Sequence, residues 1–474
     1  MRRLSLVVLI LLGWACRAAP TPVPSSPPPP DPRAAWAFLD TLEERTFHFF
    51  WDLADRRTGL VPDRWPTPSF SSIAAVGFGL TAYPIGVERG YVSRADARRR
   101  VLATLDFFLD APQGPQGTGV AGHRGFFYHF LDMSTGRRFR AVELSTIDTT
   151  LLLAGVLFCQ SYFDGALPEE QAVREKAEEL FRRVDWRWAA ARPPLVSMGW
   201  KPESGFLDAD WRGYNEALLL YVLALASPTS AVEESAWSEW ARTYTWGTFQ
   251  GQAHVAFGPL FGHQYSHVWI DFRGIRDAYM RGRGIDYFEN SRRATYAQRA
   301  YVALNPAGWR DYGPEVWGLT ACDGPADVRL TVDGRPRTFW TYSARGVSLE
   351  GIRDDGTIAP TAAAASLPFA PEIVLPALLE MRRRYGDRLF STYGFKDAFN
   401  PSFPGLATLR HGRMEAGIGW VDTDYLGIDQ GPILAMIENH RTGLVWRTLR
   451  KNPHVVRGLQ RAGFRGGWLD EAAR

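Results

Sequence analysis

Two kinds of helical segment alternate along the chain. One kind is apolar on nearly every side: SSIAAVGFGLTAYPIGV, TTLLLAGVLFCQSYF, EALLLYVLALA, PEIVLPALLEM and GPILAMIENH. The other sets charge against an apolar stripe: SRADARRRVLATLDFFLD, EEQAVREKAEELFRRVDWRW, AVEESAWSEWARTYTW and NSRRATYAQRAYVAL. A helix apolar all round must be enclosed by protein, whereas an amphipathic one lies at the surface with one face inward. Alternation therefore predicts an inner ring of helices wrapped by an outer ring, an all-α (α/α)6 toroid with small β-hairpin insertions. Five inner helices are legible in the pattern, and the sixth is expected in HQYSHVWIDF. FFYHFLDMSTGRRFRAVEL reads as a hairpin turned at residues 134–136, and VRLTVDGRPRTFWTY as one turned at Asp333 and Gly334. No linker or low-complexity stretch follows Ala34, so residues 34–474 are expected to form a single domain.

The amino terminus changes the picture of where this domain works. MRRLSLVVLILLGWAC has a basic start at Arg2 and Arg3 and an apolar run from Leu4 to Leu12, too short to cross a bilayer. Residues 1–19 therefore read as an export signal, with Cys16 where a bacterial lipoprotein signal places its acylated cysteine. The expected destination is the periplasm or the outer membrane, with membrane attachment through a lipidated Cys16. PTPVPSSPPPPDPR, within residues 20–33, reads as an extended tether. A formal charge of only +3, with no basic stripe, removes the electrostatic basis for binding nucleic acid. Cys159 and Cys322 are too few for a disulfide framework, and Cys159 reads as a small buried hydrophobe.

The starts of the apolar helices share a chemistry. Ser145 precedes its helix with Asp148 three residues on, Asn215 precedes Glu216, Pro371 precedes Glu372, and Asp429 opens DQGPILAMIENH. An acid in a first turn is ordinarily a helix-dipole partner, worth roughly 0.3–1 kcal/mol. Glu143 escapes that account because it stands before the cap. In a ring of parallel helices these starts meet at one mouth, and aromatics crowd them: Trp211 and Tyr214 beside Glu216, Trp420 and Tyr425 around Asp422 and Asp424. Pyranose rings pack their C–H faces on such side chains, while carboxylates supply the acid and base that glycoside hydrolysis needs. His263, His267 and Asp271 are spaced by four, which on a helix would share a metal-ligating face; without HExxH, hydrogen bonding to substrate or a polar core place is the preferred reading. No GxSxG elbow and no phosphate-binding GxxxxGK[ST] occurs.

GLVPDRWPTPSFSSIAAVGFGLTAYPIGVERG, ELSTIDTTLLLAGVLFCQSYF, GYNEALLLYVLAL, PLFGHQYSHVWIDFRGI, YFENSRRATYAQRAY, WGLTACDGP, DDGTIAPTAAAASLPFAPE and DTDYLGIDQGPILAMIEN resemble the bacterial glucoamylase-like family. That family includes endo-β-1,2-glucanases and is similar to the glucoamylase-like domain of cyclic β-1,2-glucan synthases. The resemblance runs from about Leu42 to about Leu469 and implies an (α/α)6 toroid acting on glucan by an inverting mechanism, with no cofactor and no metal. It implies Glu216 of GYNE as general acid and an aspartate of DTDYLGIDQGP as base, Asp429 ahead of Asp424. Glu143, Asp148, Trp211, Tyr214, His263, His267, Asp271, Trp420 and Tyr425 are the expected substrate-binding residues. The expected partner is an oligo- or polysaccharide and the expected state a monomer. The alternatives are an exo-acting α-glucosidase and a non-catalytic glycan-binding lipoprotein.

Overall fold

The computed structural model describes residues 31–472. The expected export signal, Cys16 and most of the expected tether lie outside the described residues. The tether ends sooner than expected: Asp31 caps a helix at Pro32–Leu53 by accepting from the Arg33 N–H, with proline at the first helical position.

Six helices are nearly or wholly buried along their length: Ile73–Glu88, Thr146–Tyr162, Ala217–Ala226, Phe261–Trp269, Pro360–Ala364 and Gly427–Arg441. Each packs on the next around a closed circuit. The Ile73 helix meets the Thr146 helix, which meets the Ala217 helix, then the Phe261 helix, then the Gly427 helix, which returns to the Ile73 helix. The short Pro360 helix packs on the Gly427 helix. Gln264 ties it to the Phe261 helix by donating to the Ala362 carbonyl at 2.7 Å. Amphipathic helices cover this inner set, among them Arg94–Asp110 and Pro168–Arg183, which pack on each other and on the Ile73 and Thr146 helices. The HQYSHVWIDF segment thus does supply an enclosed helix.

One segment sits differently from its expected place. PEIVLPALLEM forms Pro371–Tyr385, but only Ile373, Val374, Ala377, Leu378, Met381 and Tyr385 turn inward. It is an outer helix packed on Pro32–Leu53 and on the Pro360 helix. Glu372 is accordingly exposed, bonded to Arg292 and Tyr296 rather than facing a shared mouth. The enclosed place goes to the alanines of TAAAA, whose side chains fit where leucines would not.

Among the described residues, ten small antiparallel sheets of two or three strands decorate the helices. Three of them fix helix starts. Ser71–Ser72 pairs with Phe130–Leu131 directly before the Ile73 helix, Leu144–Ser145 pairs with Gly199–Lys201 before the Thr146 helix, and Tyr425–Leu426 pairs with Arg64–Trp65 before the Gly427 helix. The expected hairpin turns form: Asp132 caps a turn through Gly136, and Val328–Val332 pairs with Arg335–Phe339 across Asp333 and Gly334, both at positive φ.

The Ile73 and Thr146 helices cross almost backbone to backbone. A Cβ built on Gly77 would lie 2.2 Å from the Leu151 carbonyl oxygen, and one on Gly155 would lie 2.2 Å from the Gly77 carbonyl oxygen. Alanine favours a helix over glycine by about 1 kcal/mol. Here the obstacle is rigid backbone, so overpacking of about 1–3 kcal/mol should exceed that gain. Gly155→Ala is therefore expected to lower unfolding free energy by about 1–2 kcal/mol in urea titration, against the sign that propensity alone gives.

Candidate active site

The strand pairings bring helix starts together around a cavity of about 400 Å³. Asp148, at the third position of its helix, has its N–H accepted by the Ser145 side chain and bonds Ser145 through its carboxylate, so the capping role expected of it is real. Asp148 also lines the cavity, as do Glu216, Asp63, Arg64 and His129. The two roles coexist because a cap uses one side of the carboxylate.

Glu216 sits where its helix begins, but Asn215 does the capping, accepting from the Ala217 N–H at 3.0 Å. The Glu216 carboxyl is left free. Its Oε2 is buried without a hydrogen-bond partner among the described residues, and burial, with Asp148 nearby, pushes it up to about 7. A carboxylic acid that still holds its proton near neutral pH can give it to a leaving group.

His129 is the residue that sequence reasoning missed. Its Nδ1 donates to Glu143 Oε1 at 2.8 Å, and its Nε2 lies 3.5 Å from Asp148 Oδ2. Burial would neutralise this ring, but Asp148, Glu143 and Asp63 outweigh it and raise the imidazole to about 9. The hydrogen bond from His129 holds Glu143 down to about 2. Glu143 thus stands behind His129 and fixes it. The FFYHF segment carried the signal only in that a histidine between aromatics faces the same strand pair as ELST.

On the other side lies a set of aspartates. Asp429, in the first turn of its helix, is buried with Oδ2 unpartnered, and burial pushes it up to about 7 although its bond with Asp397 works the other way. Asp424 is more committed: its Oδ1 accepts from the Thr67 N–H at 3.0 Å and its Oδ2 lies 3.6 Å from Arg64. Arg64 also donates to Asp323 Oδ2 at 2.6 Å. Tyr265, on the Phe261 helix, lines the cavity with Glu216 and Asp148, and burial together with the charges of Asp429, Glu216 and Asp148 raises its hydroxyl.

The aromatic wall is not the expected one. No tryptophan among the described residues lines the cavity; Phe70, Phe130, Phe261, Tyr265 and a half-exposed Tyr342 do. Trp211 is buried and donates to the Thr146 hydroxyl, and Trp420 is buried and donates to the His411 carbonyl. Tyr214 stacks on Tyr287, and Tyr425 packs on Trp65 and Tyr393. Large apolar rings pay off in the core, and these four structure the wall from behind. His263 and His267 are likewise core residues, bonded to the Phe257 carbonyl and the Ser291 hydroxyl, and burial lowers both, His267 to about 3. Their helix ends at Trp269, so Asp271 is off its face and is held by Arg273 and Arg450 instead. The three do not form a metal centre, and none reaches the cavity.

An enclosed set of helices whose starts deliver acids and aromatic rings to one cavity defines the class: a helical protein with an acid-lined cleft. Residues 208–453 match the family model described as "Putative glucoamylase", and the chain belongs to this glucoamylase-like family. A curated relative, the exo beta-1,2-glucooligosaccharide sophorohydrolase (non-reducing end) of Parabacteroides distasonis, is 28% identical over 89% of this chain, which spans 57% of that relative's length. The crystal structure of a putative glucoamylase from Bacteroides uniformis is 31% identical with a TM-score of 0.77, covering 92% of this chain and 98% of that one. An endo-beta-1,2-glucanase from Chitinophaga pinensis, solved with sophorotriose and glucose, is 27% identical with a TM-score of 0.77, covering 92% and 99%.

The His129 contacts set a pH signature. An imidazole raised from 6.5 to about 9 contributes stability that is fully present below about pH 6.5 and is lost as pH rises through about 9. His129→Gln is expected to melt below wild type at pH 6, with the difference shrinking by pH 9.5, as read by circular dichroism.

Proposed function

We propose that the chain is a glycoside hydrolase cleaving β-1,2-glucan, built as an (α/α)6 toroid and working with inversion. The observation that carries this reading is the buried Glu216 carboxyl, one oxygen unpartnered, at the wall of a cavity it shares with Asp148, with Asp429 one residue beyond the lining residue Ile428. The named activities of the Parabacteroides and Chitinophaga relatives support β-1,2-glucan as the substrate. Glu216 donates its proton to the glycosidic oxygen as the bond to the anomeric carbon breaks. Asp429 takes a proton from the water that attacks that carbon from the opposite face. His129, held by Glu143 and Asp148, and Arg64 keep cationic donors in the wall for sugar hydroxyls, while Phe70, Tyr265 and Tyr342 offer flat faces to the rings. The protein acts as a monomer after export, tethered by the proline-rich segment before Asp31 and attached to a membrane through lipid at Cys16.

Glu216→Gln keeps the shape and removes the proton. Reducing-end release from linear β-1,2-glucan is expected to fall by about 10²–10⁴-fold in kcat with an unchanged melting temperature. Starch, β-1,3-glucan and β-1,4-glucan run alongside; cleavage of starch in preference to β-1,2-glucan would overturn the substrate reading. In the wild type, kcat/KM is expected to fall as pH rises through about 7, because Glu216 must be protonated, and burial together with the charge of Asp148 pushes it up to about that value. Inversion predicts that the first product seen by proton NMR is the α-anomer.

A further inference from the structure

Behind the Arg64 wall, three aspartates from distant parts of the chain meet out of contact with solvent. Asp323 follows the strand Ala321–Cys322, Asp397 follows Gly394–Phe395, and Asp422 follows Gly419–Val421. All three are at most 1% exposed. One carboxylate oxygen from each lies within 4.8 Å of the others. Oxygens that close can share one bound cation.

The hydrogen bonds of the three carboxylates leave buried oxygens over. Asp323 Oδ2 accepts from Arg64, Asp397 Oδ2 from the Asp323 N–H at 2.7 Å, and Asp422 Oδ1 from the Asp424 N–H at 3.0 Å. Asp397 Oδ1 and Asp422 Oδ2 are buried and have no hydrogen-bond partner among the described residues. Two further buried carboxylates border the set, each with an oxygen that accepts no hydrogen bond: Asp424, whose Oδ2 is ion-paired with Arg64, and Asp429, beside Asp397. Buried carboxylates are normally paired or bound to metal. Of the nearby cations, Arg64 serves Asp63, Asp323 and Asp424, Arg345 is engaged by Asp355 through contacts of 2.7 and 2.8 Å, and Lys396 donates to the Arg388 carbonyl. The oxygens therefore outnumber the positive charge available to them.

We propose that Asp323, Asp397 and Asp422 bind one hard divalent cation, for which Ca²⁺ serves as the probe. Oxygen-only donors select such an ion over zinc or copper, which favour nitrogen and sulfur. The ion ties three chain segments together behind the cleft and is a structural element; no hydrolytic step runs through it, so the site stands or falls separately from the glucanase reading.

The test uses the full chain and no substrate. Protein expressed in medium containing calcium and passed through a metal-free desalting column is assayed by inductively coupled plasma mass spectrometry, then melted with EDTA and with 1 mM CaCl₂ (on the order of a typical extracellular concentration for such sites). About one equivalent of calcium, and a melting temperature about 5 °C lower in EDTA that CaCl₂ restores, is the expected result. Tb³⁺ added to the stripped protein should luminesce on tryptophan excitation, since Trp420 is two residues from Asp422, and Ca²⁺ should displace it. Asp422→Asn should weaken Tb³⁺ binding at least 10-fold, and Asp397→Asn serves if that variant does not fold. Wild type that carries no metal and whose melting temperature ignores both EDTA and Ca²⁺ overturns the proposal and leaves the carboxylates sharing protons. Stoichiometric zinc in place of calcium overturns it equally.

Discussion

The crossing of the Ile73 and Thr146 helices at Gly77 and Gly155 is the contact on which the rest of the molecule hangs. Two helices that touch through backbone cannot slide or tilt without collision, so their starts are fixed relative to each other. The Gly427 helix joins the same arrangement through glycine: a Cβ on Gly431 would fall 2.1 Å from the Phe78 ring, and one on Gly427 would fall 2.5 Å from the Ala75 Cβ. Three inner helices are thereby locked together at close range. Pinned by short strand pairs, the starts of the Thr146 and Gly427 helices, through Asp148 and Ile428, arrive at one cavity as a consequence of packing in the apolar part of each helix.

A mouth assembled from helix starts gathers negative charge, because acids are favoured in first turns. The structure manages this with few cations, each shared. His129 answers Glu143 and Asp148, and Arg64 answers Asp63, Asp323 and Asp424. Glu216 receives no such partner. Its carboxyl is poised near neutrality because it is buried beside Asp148 with no cation to offset that burial, Asn215 having taken the cap. The same scarcity leaves oxygens free in the deeper aspartate set. An acid suited to proton donation and a pocket suited to a divalent cation are two results of one imbalance.

The alternation of apolar and amphipathic helices, the hairpin at Asp333 and Gly334, and the acids at Asp148, Glu216 and Asp429 were legible in the sequence because each is a local pattern. Periodicity reports how much of a helix surface is enclosed, and a cap or turn involves residues a few positions apart. Where the local pattern was ambiguous, it misled. PEIVLPALLEM is apolar enough to be enclosed, yet one side of it faces outward, and the alanines of TAAAA fill the inner place. The tryptophans and histidines that marked a sugar cleft in the sequence are mostly core, since burying a large ring is favourable anywhere in a protein.

The sequence by itself determined which segments are helices, which of them are largely buried, and that their starts carry carboxylates. Only the tertiary structure decided that His129 stands between Glu143 and Asp148, that Arg64 reaches Asp323 and Asp424, and that Asp323, Asp397 and Asp422 converge. Those meetings join positions up to about 360 residues apart, and they depend on strand registers and helix crossings that no short window of sequence records. Local periodicity fixes the environment of a side chain, while its partners are chosen by which backbone comes to lie beside it.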